Sequence, residues 1–245
     1  MNEGGKLPPR QLVNNRVSFG CINHDEIQGV PSRFRMTRAK TRFFTLRLLM
    51  DAYKITKVPR RHPMHGLSSR LLEHYSELSL EFSRYVHLGL GRTLSREIFH
   101  VQARYLDDAW LADEMSRLTG AQELALHSRV IYKDRIYHIP MVDFAEAGST
   151  ELLVSKMRAV RHSLSVDIAL YNSGRSVHGY YFCLVDEKDW YRYLGRLLLC
   201  NPTSDSNREF IDSRWIGHSL EQEFSALRWS CNSAIYKSVP ELFDV

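Results

Sequence analysis

Residues 166–181, VDIALYNSGRSVHGYY, decide how the rest of the chain is read. Two apolar runs, 166–171 and 177–183, are joined by Asn172-Ser173-Gly174-Arg175-Ser176, the pattern of two strands and a tight turn. His178 stands at the start of the second run. A Ser-Gly-Arg turn feeding a strand histidine suits a phosphate. The turn offers backbone N–H groups and a guanidinium, and the histidine adds a donor from the strand floor. Alone, the stretch equally describes a hairpin whose histidine is a structural hydrogen-bonding group, so its flanks carry the decision.

Upstream, residues 149–163 (STELLVSKMRAVRHS) read as a helix capped by Ser149, with Leu152, Leu153, Met157 and Val160 on one side. Residues 124–142 read as a hairpin turning at Lys133-Asp134. Downstream, residues 186–199 read as a helix capped by Asp186, then a loop at 201–207 and a short strand at 209–215. From Leu124 the order is strand, strand, helix, strand, strand, helix, strand. Without the leading strand this is β-α-β-β-α-β, the ferredoxin-like or RRM-like pattern. The fold class is therefore α+β, with this module at 124–245. Residues 1–123 are read as a basic, mainly helical part packing beside it. Its elements are a lead-in over 1–32, helices over 41–54 and 68–88, a strand over 98–105 and a helix from Asp107 or Asp108 to Leu118.

Composition restricts the partners. No run approaches the ~20 apolar residues that span a bilayer, and MNEGGKLPPRQ lacks the apolar core of a secretory signal. Cys21, Cys183, Cys200 and Cys231 form no CxxC pair, which reads as reduced thiols in a cytoplasmic protein. His62 and His65 are three apart, but Pro63 between them and the lack of a nearby acid argue against a metal. Lys and Arg are concentrated before residue 65, in Arg33, Arg35, Arg38, Lys40, Arg42 and their neighbours, interleaved with Phe34, Phe43 and Phe44. Cations with aromatics suit single-stranded nucleic acid; the same pattern also describes a solvated helix face over a buried aromatic stripe.

Two further pieces join the opening stretch. IPMVDFAE, 139–146, is an apolar strand ending in Asp143, and FIDSR, 210–214, presents Asp212. In a β-α-β-β-α-β sheet the first and last strands lie close, so the two carboxylates converge. Such a pair binds a divalent ion or shares a proton.

An acid-ending strand, Ser-Gly-Arg-x-x-His, an apolar-Asp strand and the closing ALRWSCNSAIYKSVP of 226–240 together resemble the archaeo-eukaryotic primase superfamily, its primase-polymerase branch most closely. The resemblance covers roughly residues 124–240. It implies a nucleotidyltransferase of DNA replication or repair, using Mg2+ or Mn2+ and nucleoside triphosphates on a DNA or RNA template. By motif, Asp143, His178 and Asp212 would be catalytic, and Asp143 and Asp212 would hold metal. Ser173, Arg175, His178, Arg228, Asn232 and Lys237 would contact the nucleotide. The family's first motif usually carries a second acid two residues after the first. Here that position is Ala145, and Glu146 follows it, so Glu146 is a third metal candidate only if the strand ends at Phe144. A primase-shaped module that binds single strands without chemistry, or acts as a subunit with protein partners, is the competing reading. Each residue also has a plain alternative: Asp143 as a helix cap, Asp212 as a surface acid beside Arg214, Arg228 and Lys237 as solvated cations.

Overall fold

The computed structural model describes residues 58–88, 92–145, 150–164, 167–202, 209–236 and 238–243. The expected helix at 41–54 and the basic residues Arg33, Arg35, Arg38, Lys40 and Arg42 lie outside them, as do Glu146 and Lys237. A short helix α1 (Pro63–Leu67) runs into a single π-helical turn (Ser68–Leu72), and then the chain extends as β1 (Ser79–Leu88). The helix expected over 68–88 is thus half strand. The segment SELSLEFS alternates polar and apolar residues, a period of two that a helix cannot use. Leu78, Leu80 and Phe82 enter the core, while Glu81, Ser83 and Tyr85 occupy the other face and are also buried.

β1 pairs antiparallel with β2 (Arg92–Gln102) and with β3 (Gln122–Tyr132), and α2 (Asp108–Arg117) connects β2 to β3. β3 turns into β4 (Arg135–His138) at Lys133 (φ +48°) and Asp134 (φ +59°), the pair of left-handed residues that a two-residue hairpin requires. The sheet order is β2-β1-β3-β4, and β8 (Ala226–Arg228) also pairs with β3. The described residues of 58–123 are therefore mixed strand and helix rather than mainly helical. The expected boundary at 123/124 falls inside β3, whose sheet holds strands from both sides of it.

The 135–142 run, read as one strand, divides. β4 ends at His138, and after Ile139-Pro140 the chain enters a second sheet as β5 (Met141–Asp143). That sheet has the antiparallel order β5-β7-β6-β9, with β6 (Ala169–Asn172), β7 (Val177–Tyr180) and β9 (Glu241–Leu242). α3 (Thr150–Leu164) and α4 (Glu187–Leu199) bury Met157, Val160, Leu164, Trp190, Leu194 and Leu197 against Val142, Leu170 and Val177. Asp186 caps α4 through Asp189 N at 2.8 Å. Gly179 in β7 is required by packing: a Cβ there would sit 2.5 Å from Val142 Cγ1 and 2.7 Å from Ile168 Cγ2.

The strand expected at 209–215 reduces to one bridge, Phe144 with Ile211, beside β5. Two side chains stop it. Asn201 Oδ1 accepts from Phe210 N and Ile211 N, each at 2.8 Å, and its Nδ2 donates to Ile211 O, so an amide occupies the outer edge. Asp212 then caps α5 (Ser213–Gln222), accepting from Arg214 N at 2.9 Å and Trp215 N at 3.1 Å.

Candidate active site

The face of the first sheet carrying Tyr85, Arg96 and Ala125, the end of β5–β7 and α5 enclose a cleft of about 780 Å3. Asp143 is the last residue of β5 and lies in register with His178 on β7. Asp212 is fixed to the same strand, its N–H donating to Asp143 O at 3.0 Å. Asp143, Ser173, Arg175, His178, Asp212 and Arg228 all line the cleft. Residues from four separated segments thus share one cavity.

Burial pushes the Asp143 carboxyl up to about 7, and the negative charge of Asp212 adds to the shift. Ser176 Oγ donates to Asp143 Oδ1 at 3.1 Å and partly offsets both. Removal from water disfavours the charged carboxylate, and a second carboxylate nearby disfavours it further. Burial, then the positive charge of Arg228, pushes His178 down to about 3. The imidazole is therefore neutral at physiological pH. Its Nε2 stands 3.9 Å from Asp143 Oδ1, beyond hydrogen-bonding distance, and its buried Nδ1 has no partner among the described residues. A neutral histidine with an unspent nitrogen can still accept or donate one hydrogen bond to a ligand.

The Ser-Gly-Arg turn differs from expectation in one respect. Its first two N–H groups are consumed locally: Ser173 N donates to Ser176 O at 3.0 Å, and Gly174 N to Asn172 Oδ1 at 2.8 Å. Gly174 accordingly sits at φ +91°, where a side chain would strain the backbone. What the turn brings to the cleft is the Arg175 and Ser176 side chains, not those amides.

Arg228 is neither solvated nor chiefly a cleft cation. It is 4% exposed, and its guanidinium donates to Ser230 O, to Ser238 O at 3.1 Å and to Ser173 O. Tyr236 stacks on it at 4.0 Å. Arg228 staples the closing loop to the Ser-Gly-Arg turn. Asn232 lies away from the cleft lining. Its amide donates to Gly120 O and Gln122 O, and its backbone N–H to the buried carboxylate of Glu123. The nucleotide contact expected of Asn232 is replaced by a loop-anchoring role.

Four basic groups in the cleft escaped the sequence reading: His87 on β1, Arg96 on β2, and Arg214 and His218 on α5. The last two are four apart, one helical turn. That spacing, just after a capping aspartate, was the available signal. His87 is depressed by burial and then by Arg175, Arg214 and His218. The arginines among these groups make the cleft a surrounding that favours an anion.

The model of the AEP-like family, Archaeo-eukaryotic primase 1D-like, matches residues 102–241. The chain belongs to this family. The matched part of this AEP-like chain starts at the last residue of β2 and takes in Asp143, His178, Asp212 and the closing loop. No curated protein and no solved structure matches the chain.

Proposed function

We propose that the chain is a primase-polymerase-type nucleotidyltransferase that transfers nucleotides from nucleoside triphosphates onto nucleic acid. The observation that carries this is the convergence of Asp143 and Asp212 in a cleft that also holds Arg175, Arg214, His87 and His218. Carboxylates suit a hard divalent cation and guanidinium groups suit phosphate. The small second sheet supports the split βαβ reading, because the Phe144–Ile211 bridge stands where a fourth strand would flank β5.

The donor set fits Mg2+ or Mn2+. Burial first, and then the negative charge of Asp212, holds Asp143 at about 7; a divalent cation beside both carboxylates would offset both effects. Asp143 and Asp212 would hold the ion, which neutralises charge on the transferring phosphoryl group. Asp212 is pre-oriented by its bonds to Arg214 N and Trp215 N. Neutral His178 offers a hydrogen bond without adding charge beside the carboxylates. Arg175 and Arg214 bind and orient the triphosphate, His218 offers a further hydrogen bond, and Arg228 fixes the turn that carries Arg175.

A second reading has its own observation. Ala145 lines the cleft where a second acid of the first motif would stand, which favours a module that binds nucleic acid without chemistry. Primer extension with Mn2+ and labelled nucleotides separates the two. Extension that disappears in Asp143→Ala supports the transferase. Metal-independent binding of single strands with no extension supports the binding module.

A further inference from the structure

On the polar face of the first sheet a chain of side chains links β1, β3 and β2. Glu81 Oε1 lies 2.6 Å from His127 Nδ1. His127 Nε2 lies 2.8 Å from Ser83 Oγ and 2.9 Å from Arg96 Nη1. Arg96 Nη1 also donates to Ser83 Oγ at 3.1 Å. A guanidinium only donates, so Nε2 is the accepting nitrogen and Nδ1 carries the proton towards Glu81. Ser83 and His127 are completely buried, and Phe224 stacks on the His127 ring at 4.1 Å. The rings of Tyr85 and Phe224 lie 5.3 Å and 5.5 Å from the Arg96 guanidinium.

Ser83, His127 and Glu81 reproduce the connectivity of a hydrolase triad. No substrate carbonyl reaches a serine with 0% exposure that Arg96 covers. The open end of the chain is Arg96, which lines the cleft. Its sheet neighbours are neutralised: Arg84 pairs with Glu114 and Glu97, and Arg129 grips Glu81 through two nitrogens. Arg96 has no carboxylate within ion-pair distance among the described residues. A half-buried guanidinium without a direct ion-pair partner is costly. Here it is held in one orientation at the wall of a cleft.

We propose that Arg96 is a phosphate-contacting residue of this cleft, and that Glu81 and His127 are positioning residues that fix its fork. The proposal rests on the reading that the cleft takes phosphate ligands, and adds a contact on the first sheet, separate from the Ser-Gly-Arg turn. The phosphate belongs either to the nucleoside triphosphate or to the polynucleotide backbone.

The test is equilibrium binding by the full chain of a fluorescent oligothymidylate and, separately, of a nucleoside triphosphate. Arg96→Ala weakens one of them on the order of tenfold to a hundredfold, and which one identifies the source of the phosphate. Arg96→Lys recovers only part, having lost the fork. His127→Ala weakens the same titration, and Arg96→Ala/His127→Ala is no weaker than Arg96→Ala alone, because the histidine acts through the arginine. His127→Gln, whose amide both accepts and donates, restores most of the loss. Should His127→Ala fail to fold, Ser83→Ala carries the same non-additivity test. Unchanged binding of both ligands by Arg96→Ala, or no binding of either by the unaltered chain, overturns the proposal; additive losses overturn the positioning role. Indifference to Arg96 beside Asp143-dependent extension removes this inference and leaves the transferase. Arg96-dependent binding without extension does the reverse.

Discussion

Asp212 donates its backbone N–H to the carbonyl of Asp143 at 3.0 Å, while its side chain caps α5. One residue thereby ties the last piece of the second sheet to β5, starts a helix and sets a carboxylate beside another. Stability and function can be separated at this position. Asp212→Asn keeps the cap but removes the charge, so the fold is retained and metal-dependent activity is lost. Asp212→Ala also loses the cap and costs about 1 kcal/mol more. Urea unfolding beside an extension assay reads both effects.

Asp143 binds its proton more tightly in the folded protein than in the unfolded chain, at about 7 against a usual 3.8. The folded state therefore holds the extra proton between these values, and this group makes stability fall as pH rises from about 4 to about 7. Asp143→Asn removes the penalty. The variant should be more stable than the unaltered chain at pH 7.5, with the advantage vanishing near pH 4. Denaturant midpoints at the two pH values show whether the difference has this sign.

The buried histidines act in the opposite sense. Burial pushes His62 down to about 3, and His127 and His138 down to about 4. All three are neutral in both states above the ordinary value of 6.5. Below it the unfolded chain binds protons that the folded one refuses, so stability falls as pH drops from about 6.5 towards 4. His62 Nε2 bonds Trp229 O at 2.8 Å under full burial. His62→Gln should flatten this acid limb without removing it, as unfolding between pH 7 and 5 will show.

Gly179 has no room for a side chain between Val142 and Ile168. Gly179→Ala should cost about 1–3 kcal/mol by overpacking, seen as a lowered urea midpoint. The shift it forces on β7 also moves His178, so nucleotide affinity should fall with stability.

The β5–β7 core of the site was legible because its signals are local. A period of two, a Ser-Gly-Arg turn and the capping Asp186 each act within a few residues. Lys133-Asp134 announced its hairpin for the same reason. β1 was not legible, because residues 68–88 superimpose two periods: Leu71, Leu72, Tyr75 and Leu78 satisfy a helix, while Leu78, Leu80 and Phe82 alternate. β9 has no local signature at all, and forms because Tyr171 and Asn172 offer it an edge. Arg228 shows the limit for a single side chain. A sequence displays its charge but not the three carbonyls that claim it. His87 and His218 join the cleft from β1 and α5, a meeting that only the fold arranges.

Asp143 and Asp212 are proposed to hold a divalent ion together. Electron paramagnetic resonance of Mn2+ titrated into the full chain measures this directly. The expected result is a bound ion whose affinity rises between pH 6 and 8, as Asp143 gives up its proton near 7, and whose signal is lost in both Asp143→Asn and Asp212→Asn. Undiminished Mn2+ binding in both variants would contradict it.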